Sequence, residues 1–196
     1  RQAFEDKKEP PKQPDDVSDP KEPPTHQLRY LEAAIQRRIP INKATKLIIN
    51  IRREFSESLT ELVKAGRFGN LNPEDVSEPQ PITLDFPVVS NGKQIGRVLK
   101  LVVAAPDFEP AQQTSRIKVL PNEDPDPAVF LLTPKKLGAL SIVVSVYDVS
   151  ENIHIASGSI ETDSVSDSQN TDDKLLNRIY MPIFVHGTYI AGNVNL

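Results

Sequence analysis

Leu140-Ser141-Ile142-Val143-Val144-Ser145-Val146-Tyr147 is one of a series of short apolar, β-branched runs between Gln80 and Thr162. Ile82-Thr83-Leu84-Asp85-Phe86, Val98-Leu99-Lys100-Leu101-Val102-Val103 and Val129-Phe130-Leu131-Leu132 share its character. Such residues suit a pleated, half-buried surface. Pro106, Pro110, Pro121, Pro125, Pro134 and Gly138 cut the runs apart, and Asn91-Gly92 is a hairpin turn signal. The breaks recur at intervals of roughly ten residues, the spacing of a sandwich. Strands are predicted over about 81–87, 95–104, 114–119, 127–132, 139–148 and 152–162, with a seventh at Thr45-Lys46-Leu47-Ile48-Ile49-Asn50-Ile51-Arg52. The expected fold is a mainly β, antiparallel sandwich of about seven strands with one or two short helices.

The alternation predicts which side chains meet in the core. Leu99, Leu101 and Val103 share one face, as do Ile142, Val144 and Val146. In the last strand the odd positions Ile153, Ile155 and Ser157 are assigned inward, opposite Asn152, His154 and Ala156. In the first strand Asn50 and Arg52 mark the wetter end.

Outside the strands the chain changes character. Residues 1–24 mix Glu, Asp and Lys with Pro10, Pro11, Pro14, Pro20, Pro23 and Pro24, too polar to offset chain entropy, and are expected to be a disordered linker. The sandwich domain is expected over 25–162. Within it, Thr25 is placed as the cap of a short helix carrying Leu28, Leu31 and Ile35 on one face, stopped by Pro40. Ser58-Leu59-Thr60-Glu61 has capping-box spacing and opens a second helix through Leu62 and Val63, closed by Gly66 and expected to lie across one end of the sandwich. Residues 163–173 read as an acidic linker, a natural site for nicking. Residues 174–196 form an apolar, glycine-punctuated tail. Its Ile183, Phe184, Val185, Tyr189, Ile190 and Val194 are the candidate partner-binding residues, expected to pair with the chain's own sheet, another copy or the rest of a longer protein.

Composition narrows the function classes. A 196-residue chain with 38% hydrophobic residues and 18 prolines fits one core diluted by Pro-rich polar chain. A net charge of −4 gives no strong general attraction to nucleic acid or anionic lipid. The absence of cysteine excludes disulfides and thiolate chemistry and favours a reducing, cytoplasmic setting. No run approaches the ~20 apolar residues of a membrane span, and no signal peptide is visible. The chain begins at Arg1 and ends inside an apolar run at Leu196, which reads as a piece of a longer protein.

Motifs for catalysis are missing. There is no phosphate loop, His-x-x-His pair or nucleophile elbow. His26, His154 and His186 lie on different segments. His154 near Ser157 resembles a base beside a nucleophile, but strand alternation puts the two on opposite faces. Asn122-Glu123-Asp124-Pro125-Asp126-Pro127 clusters oxygen ligands of the kind calcium uses; a Pro-stiffened, Asp-wetted turn explains the same residues. No cofactor or metal is assigned. Arg37, Arg38, Lys43, Lys46, Arg52, Arg53, Lys64 and Arg67 make a locally basic stretch with few aromatic residues among them. That composition suits a solvated face or an acidic protein partner better than nucleic acid.

Several segments carry a resemblance. Ile39-Pro40-Ile41, the strand at 46–52, Pro81-Ile82-Thr83-Leu84-Asp85-Phe86-Pro87 and Leu99 to Phe108 are followed by Phe130-Leu131-Leu132-Thr133-Pro134-Lys135-Lys136-Leu137-Gly138. Together they resemble an Ig-like β-sandwich accessory module of bacterial multidomain signalling and conflict proteins, which carry caspase-like peptidase, TIR or STAND-type NTPase domains. The resemblance spans about 39–162 plus the tail, and it brings no catalytic residues. It implies a non-enzymatic interaction module in immune signalling or antiviral defence, positioning or regulating an effector of the same chain or operon. Two alternatives stand beside it: a substrate or regulated partner of a caspase-like protease, and a cell-surface adhesion or calcium-dependent binding module.

Overall fold

A computed structural model describes residues 25–89 and 91–166. The N-terminal segment 1–24, most of the expected linker and the tail with Ile183, Phe184, Val185, Tyr189, Ile190 and Val194 lie outside the described residues.

Among the described residues ten strands form two five-stranded sheets. In chain order they are β1 (Thr25–Ala34), β2 (Arg38–Pro40), β3 (Thr45–Arg53), β4 (Gln80–Phe86), β5 (Arg97–Ala104), β6 (Phe108–Glu109), β7 (Gln112–Val119), β8 (Ala128–Pro134), β9 (Gly138–Asp148) and β10 (Ile153–Val165). One sheet runs β4-β1-β3-β8-β6 and the other β2-β10-β9-β5-β7. The run β1-β3-β8 follows the A-B-E order of an immunoglobulin sandwich, and β10-β9-β5 its G-F-C order, with β7 in the additional place beside C. The two-residue β6 lies between C and that additional strand in the chain, so it is not strand D. Three strands, β6 among them, are extra to that frame. β4 extends the first sheet beyond β1, and β2 pairs in parallel with the end of β10.

The core lies between the sheets. Leu99, Leu101 and Val103 of β5 and Ile142, Val144 and Val146 of β9 are buried, in the phase their alternation predicts. They meet Leu47, Ile49 and Ile51 of β3, Ile82, Leu84 and Phe86 of β4, and Phe130 and Leu132 of β8.

A second, smaller core lies on the outside of the first sheet. Helix α1 (Leu59–Lys64) buries Leu59, Leu62 and Val63 against Ala34, Ile48 and Leu71. Its start is the expected capping box: Ser58 accepts from the Glu61 backbone, and the Glu61 carboxylate accepts from the Ser58 backbone at 2.7 Å. Gly66, at φ +74°, closes it. The helix covers a sheet face, not an end of the sandwich as the sequence suggested. Below it Glu32 is fully buried and accepts from the Leu59 backbone at 2.8 Å and Asn50 at 3.3 Å, beside Arg52 at 3.2 Å. Asn50, expected at a wet strand end, is therefore buried within this cluster.

Three further expectations are corrected. The segment carrying Leu28, Leu31 and Ile35 is strand β1, not a helix. Period two orders it better: Arg29, Leu31 and Ala33 are buried inward, while Glu32 and Ala34 are buried outward under the second core. Leu28, assigned to the helix's apolar face, is 42% exposed. Pairing with β3 on one side and β4 on the other outweighs a three-residue apolar spacing. The phase of β10 is also reversed. A register shift between His154 and Ala156 puts Ala156, Ile160 and Thr162 inward, so even positions face the core beyond it. Before the shift Ile153 stays 45% exposed, while Ile155 packs against the core as expected. Finally, β10 continues past Thr162 to Val165, where Asp163, Ser164 and Val165 pair with Arg38, Ile39 and Pro40. The first part of the expected linker is therefore sheet.

Leu101 is fully buried at the centre of β5. Leu101→Ala should lower the unfolding free energy by about 2–4 kcal/mol in urea titrations; a near-neutral result would contradict its place in the core.

Candidate functional site

The two outer faces of the sandwich differ. The first sheet carries α1 and the second core; no described element packs on the outer face of the second. That open face is built from alternate residues of β7, β5, β9 and β10. On β7 they are Gln112, Thr114, Arg116 and Lys118, and on β5 Val98, Lys100 and Val102. On β9 they are Ser141, Val143, Ser145 and Tyr147.

Register lines these up into rows. Arg116 lies opposite Lys100, Lys100 opposite Tyr147, and Tyr147 opposite His154. The next row is Thr114, Val102, Ser145 and Ser157. The Tyr147 and His154 rings meet edge to face with centroids 5.1 Å apart. His154 Nε2 lies 2.9 Å from Ser157 Oγ, which lies 2.6 Å from Ser145 Oγ. Alternation alone separates His154 from Ser157; the irregularity between His154 and Ala156 brings them onto one face. Among the described residues no carboxylate hydrogen-bonds to the other ring nitrogen of His154, so the pair lacks the group that orients a catalytic base.

The position of β7 is set from the opposite sheet. Arg29 on β1 is the largest fully buried side chain. Its guanidinium donates to the carbonyls of Leu120 at 2.8 Å, Pro121 at 2.7 Å and Glu123 at 3.2 Å, all in the turn that follows β7. It also reaches the Asp124 carboxylate at 3.2 Å and stacks 5.5 Å above the Phe86 ring. Burial lowers the Arg29 pKa, and the Asp124 charge opposes that shift. Gly96 adds a second restraint. A Cβ there would stand 2.7 Å from Leu120 Cδ2 and 2.9 Å from the Val119 carbonyl, so only glycine lets the end of β7 approach so closely.

Asp124 belongs to the loop considered for calcium. Its carboxylate is engaged by protein cations: it accepts from the Arg53 backbone at 2.8 Å and faces both Arg29 and Arg53. Among the described residues no group of three or more His, Asp or Glu side chains is arranged to hold a metal ion. The basic stretch at 37–67 is likewise partly consumed inside the molecule. Arg52 meets Glu32 and lies 5.0 Å above the Tyr30 ring, and Arg53 meets Asp124. His26 on β1 pairs with Asp85 on the neighbouring strand β4 of the first sheet, and His186 lies outside the described residues.

Arg116 and Lys118 carry no recognised motif. Their alternation along β7 is visible in the chain, but their position beside Lys100 follows only from the register. No family model matches the chain, and no curated protein or solved structure matches it. No helix among the described residues is long and apolar enough to cross a membrane.

Burial works to raise the Asp124 carboxyl pKa, but hydrogen bonds from Ser56 and the Arg53 backbone outweigh it and hold the group below its ordinary 3.8. Ionised Asp124 thus stabilises the fold fully above that value, and the contribution drains away as pH falls through the folded pKa. In melting curves over a pH series, wild type should exceed Asp124→Asn at neutral pH. The gap should close in acid, below the ordinary carboxylate range.

Proposed function

We propose that this chain is a non-enzymatic recognition module whose open β7-β5-β9-β10 face binds a protein partner. The observation that carries the reading is the contrast between the two outer faces: one covered by its own helix and core, the other presenting Arg116, Lys100, Tyr147 and His154 in a row across four strands. Tyr and Arg are residues that anchor protein interfaces. The serine hydroxyls beside them supply hydrogen bonds without bulk. The arrangement of His154 with Ser157 and Ser145 supports a polar contact surface more than a nucleophile, because no orienting acid stands behind the imidazole among the described residues.

The resemblance to accessory modules of bacterial signalling and conflict proteins supplies the wider setting we propose. There the module would act in the cytoplasm, in immune signalling or antiviral defence, positioning an effector with a caspase-like, TIR or NTPase domain. That setting rests on the strand pattern and on the turn at Thr133-Pro134-Lys135-Lys136.

Photo-crosslinking tests the reading directly. A benzophenone amino acid at Val143, 40% exposed on the open face, should capture a discrete protein in extracts of the source organism. The same probe at Thr83, on the outer face of the first sheet, should not. No adduct at Val143, or equal labelling from both positions, would overturn the assignment.

A further inference from the structure

β7 is the last strand of its sheet: its eight residues pair with β5 on one side and with no described strand on the other. A free edge of this length offers a ladder of backbone donors and acceptors to an incoming chain. Natural edges are commonly blunted by proline, by a bulge or by charge. β7 contains no proline, and its register with β5 runs unbroken from Arg97–Val119 to Ala104–Gln112.

Charge is present on β7 and extends beyond what edge protection requires. Lys118 and Arg116 on β7 are exposed, as a blunted edge would have them. Lys100 is not on the edge. It lies on β5, one strand in, directly opposite Arg116. Like charges at opposed positions of an antiparallel pair destabilise the sheet. Among the described residues none of these three cations has a carboxylate within ion-pair distance. On the strands of this face the outward acids, Glu161 and Asp163, sit on β10, three strands from β7; at the end of β7 Glu123 and Asp126 share a concavity with Lys118, so Lys100 and Arg116 are the cations farther from acids. Lys100 thus adds repulsion without guarding an edge, whereas an anionic partner would turn the same three charges into attraction.

We propose that the free edge of β7 takes up an extended acidic segment of a protein partner as an added strand, its carboxylates on the outward side beside Lys100, Arg116 and Lys118. The inference rests on the recognition role proposed above and names the chemistry of the partner. Backbone pairing supplies affinity in such strand addition, and alternate side chains supply selectivity. On the inward side the incoming residues meet Ser115 and Ile117, both half-buried, and Gln113, whose amide already donates to the Leu131 carbonyl at 2.7 Å. Small or hydroxyl-bearing side chains suit those positions. The Arg29 and Gly96 restraints hold the end of β7 in place before any partner arrives, which lowers the ordering cost of binding.

Fluorescence anisotropy with a labelled, end-capped peptide of four Glu-Thr repeats, titrated with the full chain, tests the idea. In an added strand the amides of the Glu residues all point to one side and those of the Thr residues to the other. N-methylation of one set should abolish binding while methylation of the other is tolerated. Arg116→Glu with Lys100→Glu should weaken the peptide at least tenfold and confer binding of a Lys-Thr counterpart. Lys100→Glu alone, which replaces a repelling pair by an attracting one, should raise the melting temperature. Absence of binding to the wild-type chain, or equal sensitivity to the two methylated sets, would overturn strand addition. A Val143 cross-link that persists alongside such a failure would leave the recognition face standing and remove only the proposed acidic strand.

Discussion

Arg29 carries the constraint on which the described architecture depends. A guanidinium taken fully out of water is tolerated only if its donors are met. Here the two terminal nitrogens are met by carbonyls at the end of β7, by Asp124 and by Gln27, with Phe86 below the charged plane, while Nε is buried without a hydrogen-bond partner among the described residues. The side chain starts in one sheet and its partners lie where the other sheet's last strand turns away. One buried cation therefore ties the two layers together at that end. It also engages Asp124, one of the carboxylates of the 122–127 loop considered for an ion.

The second consequence is the difference between the faces. Glu32 and Asn50 on the outside of the first sheet are buried because α1 and its neighbours cover them, and the Leu59 amide at the start of α1 hydrogen-bonds back to Glu32. The helix is thereby held by a charge it hides from water as well as by Leu62 and Val63. The second sheet has no such layer in the described residues. Its outward residues, Tyr147, His154, Ser145 and Lys100 among them, meet one another across strands. An uncovered, polar, aromatic-bearing sheet face beside a free edge is the surface from which the recognition role is argued.

The sequence by itself determined seven of the ten described strands, the inward phase of β5 and β9, the capped helix at Ser58 and the turn at Asn91-Gly92. Each is a local matter: two-residue alternation, a cap three residues from its acid, and a backbone conformation that glycine adopts freely at φ +74°. The tertiary structure decided the rest. β1 is a strand because β3 and β4 pair with it on both sides, a fact absent from its own residues. The phase of β10 turns on one irregularity at His154/Ala156, and the same irregularity joins His154 to Ser157. The candidate face was illegible for the same reason. Lys100 and Arg116 stand sixteen residues apart in the chain and become neighbours only through register, and register is set by what the whole sandwich buries.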